Sequence, residues 1–289
     1  MHILITDSGV GGLSVVAYAE RFVRTHGTRE AVRLTFANAA PANDYGYNSM
    51  ATRAEKLATF DRFLHNITER FAPDAIYVAC NTLSVLLPDT PYVAHAPVPV
   101  NGIVGTATRL LLGALAADHR SVAMIFGTQT TIDAGTYPRL LAADGIAPER
   151  IISQACPGLA DTISEDREGT RTRREIGQWV TAAIAQMPDR TAPVVAALAC
   201  THYGYRKELF AAALAEQGIA ATVINPNESA VGDLFGEASS GPHHDAAVRF
   251  VTRYAIPPAT VEALTYFLQP ISPPTVAAME HFKHLPDLF

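Results

Sequence analysis

Short apolar runs alternate with longer stretches of helical periodicity along most of this chain, and that alternation limits its fold more than any other feature. The runs at 3–6, 33–37, 75–79, 98–100, 121–126, 151–154, 194–199 and 221–224 read as buried strands. Between them, apolar residues recur at helical spacing over 13–25, 49–71, 104–117, 131–143, 171–186, 205–217 and 245–254. Strand and helix in turn predict an α/β protein with mostly parallel sheets. The proline-rich stretch 88–99 predicts an irregular connection, 236–244 is a loop by composition, and the segment after 269 reads as a surface-hugging extension.

Composition then removes whole classes of function. A chain of 289 residues, 48% hydrophobic and 17% charged, is not disordered and has room for one large or two ordinary domains. A net charge of −6 with no basic cluster leaves nucleic acid without an electrostatic footprint. The N-terminus enters a strand directly, with neither the basic start nor the apolar stretch of a signal peptide, and nothing approaches the roughly 20 apolar residues of a membrane span. The expectation is a cytoplasmic protein with no nucleic-acid or membrane partner, its three cysteines kept as thiols. His243-His244 and the pair His281 and His284 lack carboxylates or cysteines at ligand spacing, so no metal is expected. The three lysines, Lys56, Lys207 and Lys283, all sit in polar helical contexts and offer no home for a Schiff-base cofactor.

Chemistry concentrates where the strands end. Ala79-Cys80-Asn81-Thr82 and Ala199-Cys200-Thr201-His202 each close an apolar run, and ligands in open α/β sheets sit just outside the carboxyl edge. A lone cysteine is often a small buried hydrophobe. Two at matching strand ends, each followed by polar groups, point instead to a pocket with a thiol on each side. Such a pair suits the removal of a proton from one face of a carbon and the return of one to the other. Asp7 ends a strand and Asp7-Ser8-Gly9-Val10-Gly11-Gly12 opens a helix, where glycines allow close backbone approach and N–H groups favour a carboxylate. The spacing fits neither the dinucleotide fingerprint nor the phosphate loop. His202 as imidazolium would lower a thiol's pKa, whereas Asp7 would raise it and act as proton acceptor and positioner. Thr128 and Thr131, in Gly127-Thr128-Gln129-Thr130-Thr131, can cap a helix or bind a carboxylate. Cys156, before Pro157-Gly158, reads as structural.

Taken together, these residues resemble the glutamate racemase family of the aspartate/glutamate racemase superfamily. The likeness runs in order from about residue 3 to about 268. It is carried by the Asp7–Val15 signature, the two cysteine motifs, the Gly127-Thr128 turn with Thr131-Ile132, and Asp44-Tyr45-Gly46. The resemblance implies two pseudo-symmetric, three-layer α/β lobes with mostly parallel sheets and the active site between them. Residues 1–103 plus 209–289 would form the first lobe, with a C-terminal extension after about 270, and 104–208 the second. It implies an isomerase without cofactor that interconverts L- and D-glutamate, for peptidoglycan and hence cell-wall biogenesis and cell shape. Cys80 and Cys200 would be the acid/base pair, assisted by Asp7 and His202. Ser8, Tyr45, Gly46, Asn81, Thr82, Thr128, Thr131 and Thr201 would hold the small amino-acid substrate.

The chain departs from the family pattern at several points. Asp44 stands where proline is expected, and Gly204 ends the second cysteine motif in place of proline. Glu165 falls one residue from the family's assisting glutamate. An acidic residue at 44 would repel a second carboxylate, which leaves aspartate or another amino acid open as substrate. A non-catalytic amino-acid-binding relative and a one-cysteine hydrolase are the remaining alternatives. Oligomeric state, a homodimer included, is not fixed by the sequence.

Overall fold

The computed structural model describes residues 1–43, 45–236, 241–242 and 245–289. The chain forms two units, Met1–Ile103 with Asn227–Phe289 and Val104–Pro226.

The first unit begins with β1 (His2–Asp7), α1 (Leu13–His26), β2 (Arg33–Asn38), α2 (Arg53–Phe71), β3 (Ala75–Val78), α3 (Asn81–Ser84), α4 (Pro91–Ala94) and β4 (Val100–Gly102). The second contains α5 (Ile103–Ala117), β5 (Val122–Gly127), α6 (Gln129–Asp133), α7 (Thr136–Ala143), β6 (Ile151–Ala155), α8 (Leu159–Glu165), α9 (Thr170–Ile184), β7 (Val194–Ala199), α10 (Lys207–Glu216) and β8 (Ala221–Ile224). Back in the first unit come α11 (Pro226–Phe235), β9 (Ala247–Thr252), α12 (Pro258–Leu268), α13 (Pro273–Glu280) and β10 (Lys283–His284). Among the described residues, no group of three or more His, Cys, Asp and Glu could hold a metal ion, and no helix is long and apolar enough to cross a membrane.

The sheet of the first unit has the order β10-β9-β2-β1-β3-β4 and that of the second β6-β5-β7-β8, all pairs parallel. Strands β1, β5 and β7 are buried at every position, as strands covered on both faces must be, and this explains the unbroken apolar character of β5 and β7 and of Ile3–Ile5 in β1. The order β2-β1-β3-β4 is repeated as β6-β5-β7-β8. In each unit the central strand is flanked by the second strand on one side and the third on the other. Helix α2 shows how the covering layer is specified. Thr52 caps it by accepting the Glu55 N–H, and Phe60, Phe63, Leu64 and Ile67 form one buried stripe at helical spacing.

Four expectations need revision. Residues 245–254 are not helical: they contain β9, which pairs with β2 from Arg33↔Ala247 to Ala37↔Val251. Phe250, Val251 and Thr252 are buried there, and β-branched residues suit a pleated surface. The segment after 269 is no surface strap. It forms α13 and β10 and buries Val276, Met279, Leu285 and Leu288. The expected helix over 131–143 is two, interrupted at Gly135, which adopts a left-handed φ of 60°. The expected return to the first unit at 209 comes later, because β8 pairs with β7 and keeps the chain in the second unit through Pro226.

Candidate active site

In the first unit, parallel pairing of β1 with β3 brings the residues after Asp7 and after Val78 side by side, at the point where the strand order reverses. The Ala79 N–H donates to the Thr6 carbonyl at 2.9 Å and extends that ladder to the edge of Cys80. The result is a contact of 3.0 Å between Ser8 Oγ and Cys80 Sγ. Asp7 is buried and accepts the Gly9 N–H at 3.1 Å. Gly12 makes room for this arrangement. A Cβ at that position would lie 2.8 Å from both Cβ and Oδ2 of Asp7 and 3.1 Å from the Ala79 Cβ. Asn81 and Thr82, at the start of α3, are buried beside the thiol's own turn.

Burial and the Asp7 carboxylate push the Cys80 thiol up to about 12, against the opposing pull of the Ser8 hydroxyl and the Ser8 and Leu83 N–H groups. Cys80 therefore rests as a thiol at neutral pH and, once ionised, is a strong base. Tyr45 is turned elsewhere: its ring is 40% exposed and its hydroxyl donates to Glu55 Oε1 at 2.6 Å. Gly46 lies in the following turn, its carbonyl accepting the Ser49 N–H. Asp44, and with it the expected charge effect, lies outside the described residues, as do His243 and His244.

The second unit repeats the construction with different side chains. β5 and β7 pair through Gly127↔Ala199, so Thr128 and Cys200 leave adjacent strand ends. Thr128 caps α6: its Oγ1 accepts the Thr131 N–H at 3.3 Å and lies 3.0 Å from Thr131 Oγ1. Thr131 and Thr201 are buried. His202 Nδ1 stands 4.0 Å from Cys200 Sγ, on the short 3-10 helix Thr201–Arg206. Desolvation pulls the imidazole down to about 4, so the ring is neutral at physiological pH. Glu165 is exposed and pairs with Arg171 at 3.3 Å.

Gly204 has a structural reason. A Cβ there would come within 2.6 Å of Asn225 Oδ1 and 2.9 Å of its Cγ, so no side chain, a proline ring included, fits without displacing that buried asparagine. Cys156 is buried in the same apolar cluster as Cys200, and burial raises its thiol too.

Residues not singled out from sequence complete both surroundings. Asn38 is buried at the end of β2, where its amide donates to Thr252 Oγ1 at 3.3 Å and to the Tyr254 hydroxyl at 3.2 Å. Tyr47 lies in the core cluster that holds Cys80, and Tyr203 in the one that holds Cys200. Tyr203 donates to the Cys156 carbonyl at 3.1 Å. Each tyrosine follows or adjoins a motif already of interest, and proximity in sequence was the available signal.

The arrangement presents, at each of two equivalent sheet edges, a thiol just beyond the end of one strand and a hydroxyl just beyond the end of its neighbour. No protein-family model matches the chain. Individual proteins do. The glutamate racemase of Vibrio vulnificus (strain CMCP6) is 30% identical over 207 residues, covering 72% of this chain and 71% of that protein. The glutamate racemase of Thermus thermophilus is 32% identical over 224 residues, covering 73% and 70%. In fold, the chain is similar to the glutamate racemase of Francisella tularensis subsp. tularensis SCHU S4, solved with D-glutamate, with a TM-score of 0.71 at 18% identity over 99% of this chain and 98% of that one. At that level of sequence and structural likeness, the chain belongs to the glutamate racemase family and is an isomerase.

Proposed function

We propose that this enzyme interconverts L- and D-glutamate by proton transfer at the α-carbon, with Cys80 and Cys200 as the acid/base pair. The observation that carries the reading is the repeated construction itself. In two units of the same strand order, the strand beside the central one ends in a cysteine, and the central strand ends in a turn that offers a hydroxyl. One thiol is expected of a hydrolase and leaves the other without a role; two are needed where a proton leaves one face of a carbon and arrives on the other. Glutamate is the choice among amino acids because it is named for the relatives at 30% and 32% identity.

The α-hydrogen of an amino acid is a very weak acid. Its removal needs a strong base, a site from which water is excluded, and donors around the carboxylate as negative charge develops. Cys80 meets the first requirement through the burial and the Asp7 charge that hold its proton affinity high. With one cysteine as thiolate and the other as thiol, the thiolate takes the α-proton and the thiol supplies one to the opposite face. The roles are exchanged for the other enantiomer. Asp7 serves the Cys80 side as positioner and transient proton acceptor. On the other side, neutral His202 receives the Cys200 proton as that sulfur turns thiolate. Ser8, Asn81, Thr82, Thr128, Thr131 and Thr201 supply hydroxyl and amide groups to the carboxylates and amine. Gly46 contributes through the turn it opens and Tyr45 through the backbone that leads into it, since the Tyr45 hydroxyl is engaged by Glu55. No cofactor enters the scheme, and the D-glutamate formed supplies peptidoglycan.

Incubation of the purified protein with L- and with D-glutamate in deuterated water tests this reading. The expected result is loss of the α-proton NMR signal from both enantiomers with optical rotation falling to zero. An intact, folded protein that exchanges neither would reject glutamate as substrate.

A further inference from the structure

The outer side of β9 is only partly covered. β10 pairs with it at Val251 and Thr252 alone, and α13 packs against the same strand. Ala247 sends its N–H to the Val32 carbonyl, on the β2 side. Successive residues of a parallel strand present their backbone groups to opposite neighbours. The N–H groups of Val248 and Phe250 therefore face the outer side, where no described strand pairs with them. A cavity of about 460 Å³ opens there, among β9, α13 and the start of β10.

Its walls divide by chemistry. Val248 and Phe250 of β9 with Pro274, Ala277 and Ala278 of α13 supply an apolar lining. Arg249, His281 and Lys283 supply the rest, and no acidic residue lines the cavity. The Arg249 and Lys283 side chains make no ion pair or hydrogen bond among the described residues. Arginines elsewhere are neutralised, Arg70 by Asp287 at 2.8 Å and Arg120 by Asp118 at 3.1 Å. His281 is held against α13 by its Nδ1, which donates to the Ala277 carbonyl at 2.9 Å. In a chain of net charge −6, two unpaired cations beside two outward backbone N–H groups match an anion, and the apolar lining matches a hydrocarbon body. The volume suits a small molecule, for which sites run from about 300 to 1,000 Å³. The open edge runs only over Ala247–Phe250, which favours such a ligand over an added peptide strand.

We propose that this cavity binds a small organic carboxylate with a short hydrocarbon body, the carboxylate held by Arg249 and Lys283 and the body laid on Val248, Phe250 and α13. It is distinct from the candidate active site. β9 stands three places from β3, beyond whose end Cys80 lies, so about 14 Å of sheet separates the two strands. Binding there does not depend on the reaction catalysed, so the readout is occupancy rather than turnover.

Hexanoate is the probe, titrated into the full-length, isotope-labelled protein while the amide resonances of Val248, Phe250 and Ala278 are followed by NMR. These resonances should shift to saturation with hexanoate, and hexanamide, which lacks the charge, should bind about tenfold more weakly or worse. Arg249→Gln combined with Lys283→Gln should weaken hexanoate by about tenfold or more. Ala277→Leu, which keeps both cations but puts a larger side chain into the cavity from an exposed helix position, should weaken it as much. Hexanoate that leaves these resonances unmoved, or that binds the double variant as tightly as the parent, would overturn the proposal. Inorganic phosphate that matches hexanoate and ignores Ala277→Leu would also overturn it and leave a non-selective anion patch. An extended peptide of alternating Glu and Val that binds more tightly than hexanoate would replace the carboxylate with strand addition.

Discussion

The two cysteine sites share a strand order and differ in everything that touches the sulfur. Cys80 has a buried carboxylate, a serine hydroxyl at 3.0 Å and the N–H groups of Ser8 and Leu83 as its neighbours. Cys200 has a neutral imidazole at 4.0 Å and a threonine-capped helix leaving the adjacent strand. One fold rule supplies the placement, and local residues supply the proton chemistry. The reaction proposed above is the same in both directions, and it would draw on two chemically unlike cysteine surroundings. What the two surroundings would have to match is the free energy of moving a proton, and a carboxylate beside a buried thiol and an imidazole beside another are two routes to that end.

Substitution of either sulfur breaks the comparison most severely. Cys80→Ser and Cys200→Ser should each reduce racemisation by about 10³-fold or more, since a hydroxyl is a far weaker acid than a thiol and so neither ionises to serve as base nor readily gives up its proton. Polarimetry with each enantiomer measures the loss, and a variant that keeps a tenth of its activity would remove that cysteine from the pair. Next comes steric room. Gly204→Ala should lower stability by about 1–3 kcal/mol, because its Cβ would meet Asn225 at 2.6 Å. Thermal unfolding reads this directly, and Asn225→Gly in the same chain should restore part of it.

The imidazole should leave a pH signature. The folded-state pKa of His202, about 4, lies below the ordinary 6.5, so the unfolded chain binds more protons between those values. Stability from this group is therefore complete above pH 6.5 and is lost as pH falls toward 4. The ring is only half-buried, so the share is about 2 kcal/mol rather than the whole shift. His202→Asn should flatten that part of the stability curve measured by urea titration from pH 7 to pH 4; an unchanged slope would count against a neutral, desolvated ring. The smallest effect belongs to the cap. Thr128→Ala should cost about 1 kcal/mol through loss of the bond to the Thr131 N–H. If it raises the KM for glutamate without altering kcat, Thr128 also contacts substrate.

Much of the scaffold was legible because central parallel strands declare themselves. β5, β7 and the Ile3–Ile5 centre of β1 are continuous apolar runs, and the residues that follow them stand out by being polar or by carrying a thiol. The contact of Ser8 with Cys80 was not written in any local pattern, but it follows once β1 and β3 are neighbours. What escaped was decided at a distance. Residues 245–254 satisfy a helical spacing of apolar groups almost as well as a strand, and only the exposed edge of β2 selects β9. The prolines after 269 suggested a strap, yet Pro273 and Pro274 occupy the first turn of α13, where a missing N–H costs nothing, with Ser272 capping it. The neutral state of His202 is a property of enclosure. Composition gives no measure of how much water a folded chain will leave around a ring.

The discontinuous first unit carries a consequence for biosynthesis. On the ribosome, residues 104–226 are complete and can fold while the sheet of the first unit still lacks two of its strands. Until β9 and β10 emerge, the edge of β2 and the apolar surface that Leu285 and Leu288 will cover remain open to wrong partners. Nascent chains stalled where Pro226 has cleared the exit tunnel and β9 has not should therefore hold a protease-resistant second unit tethered to a protease-sensitive first one. Chaperone dependence should fall on that interval of translation.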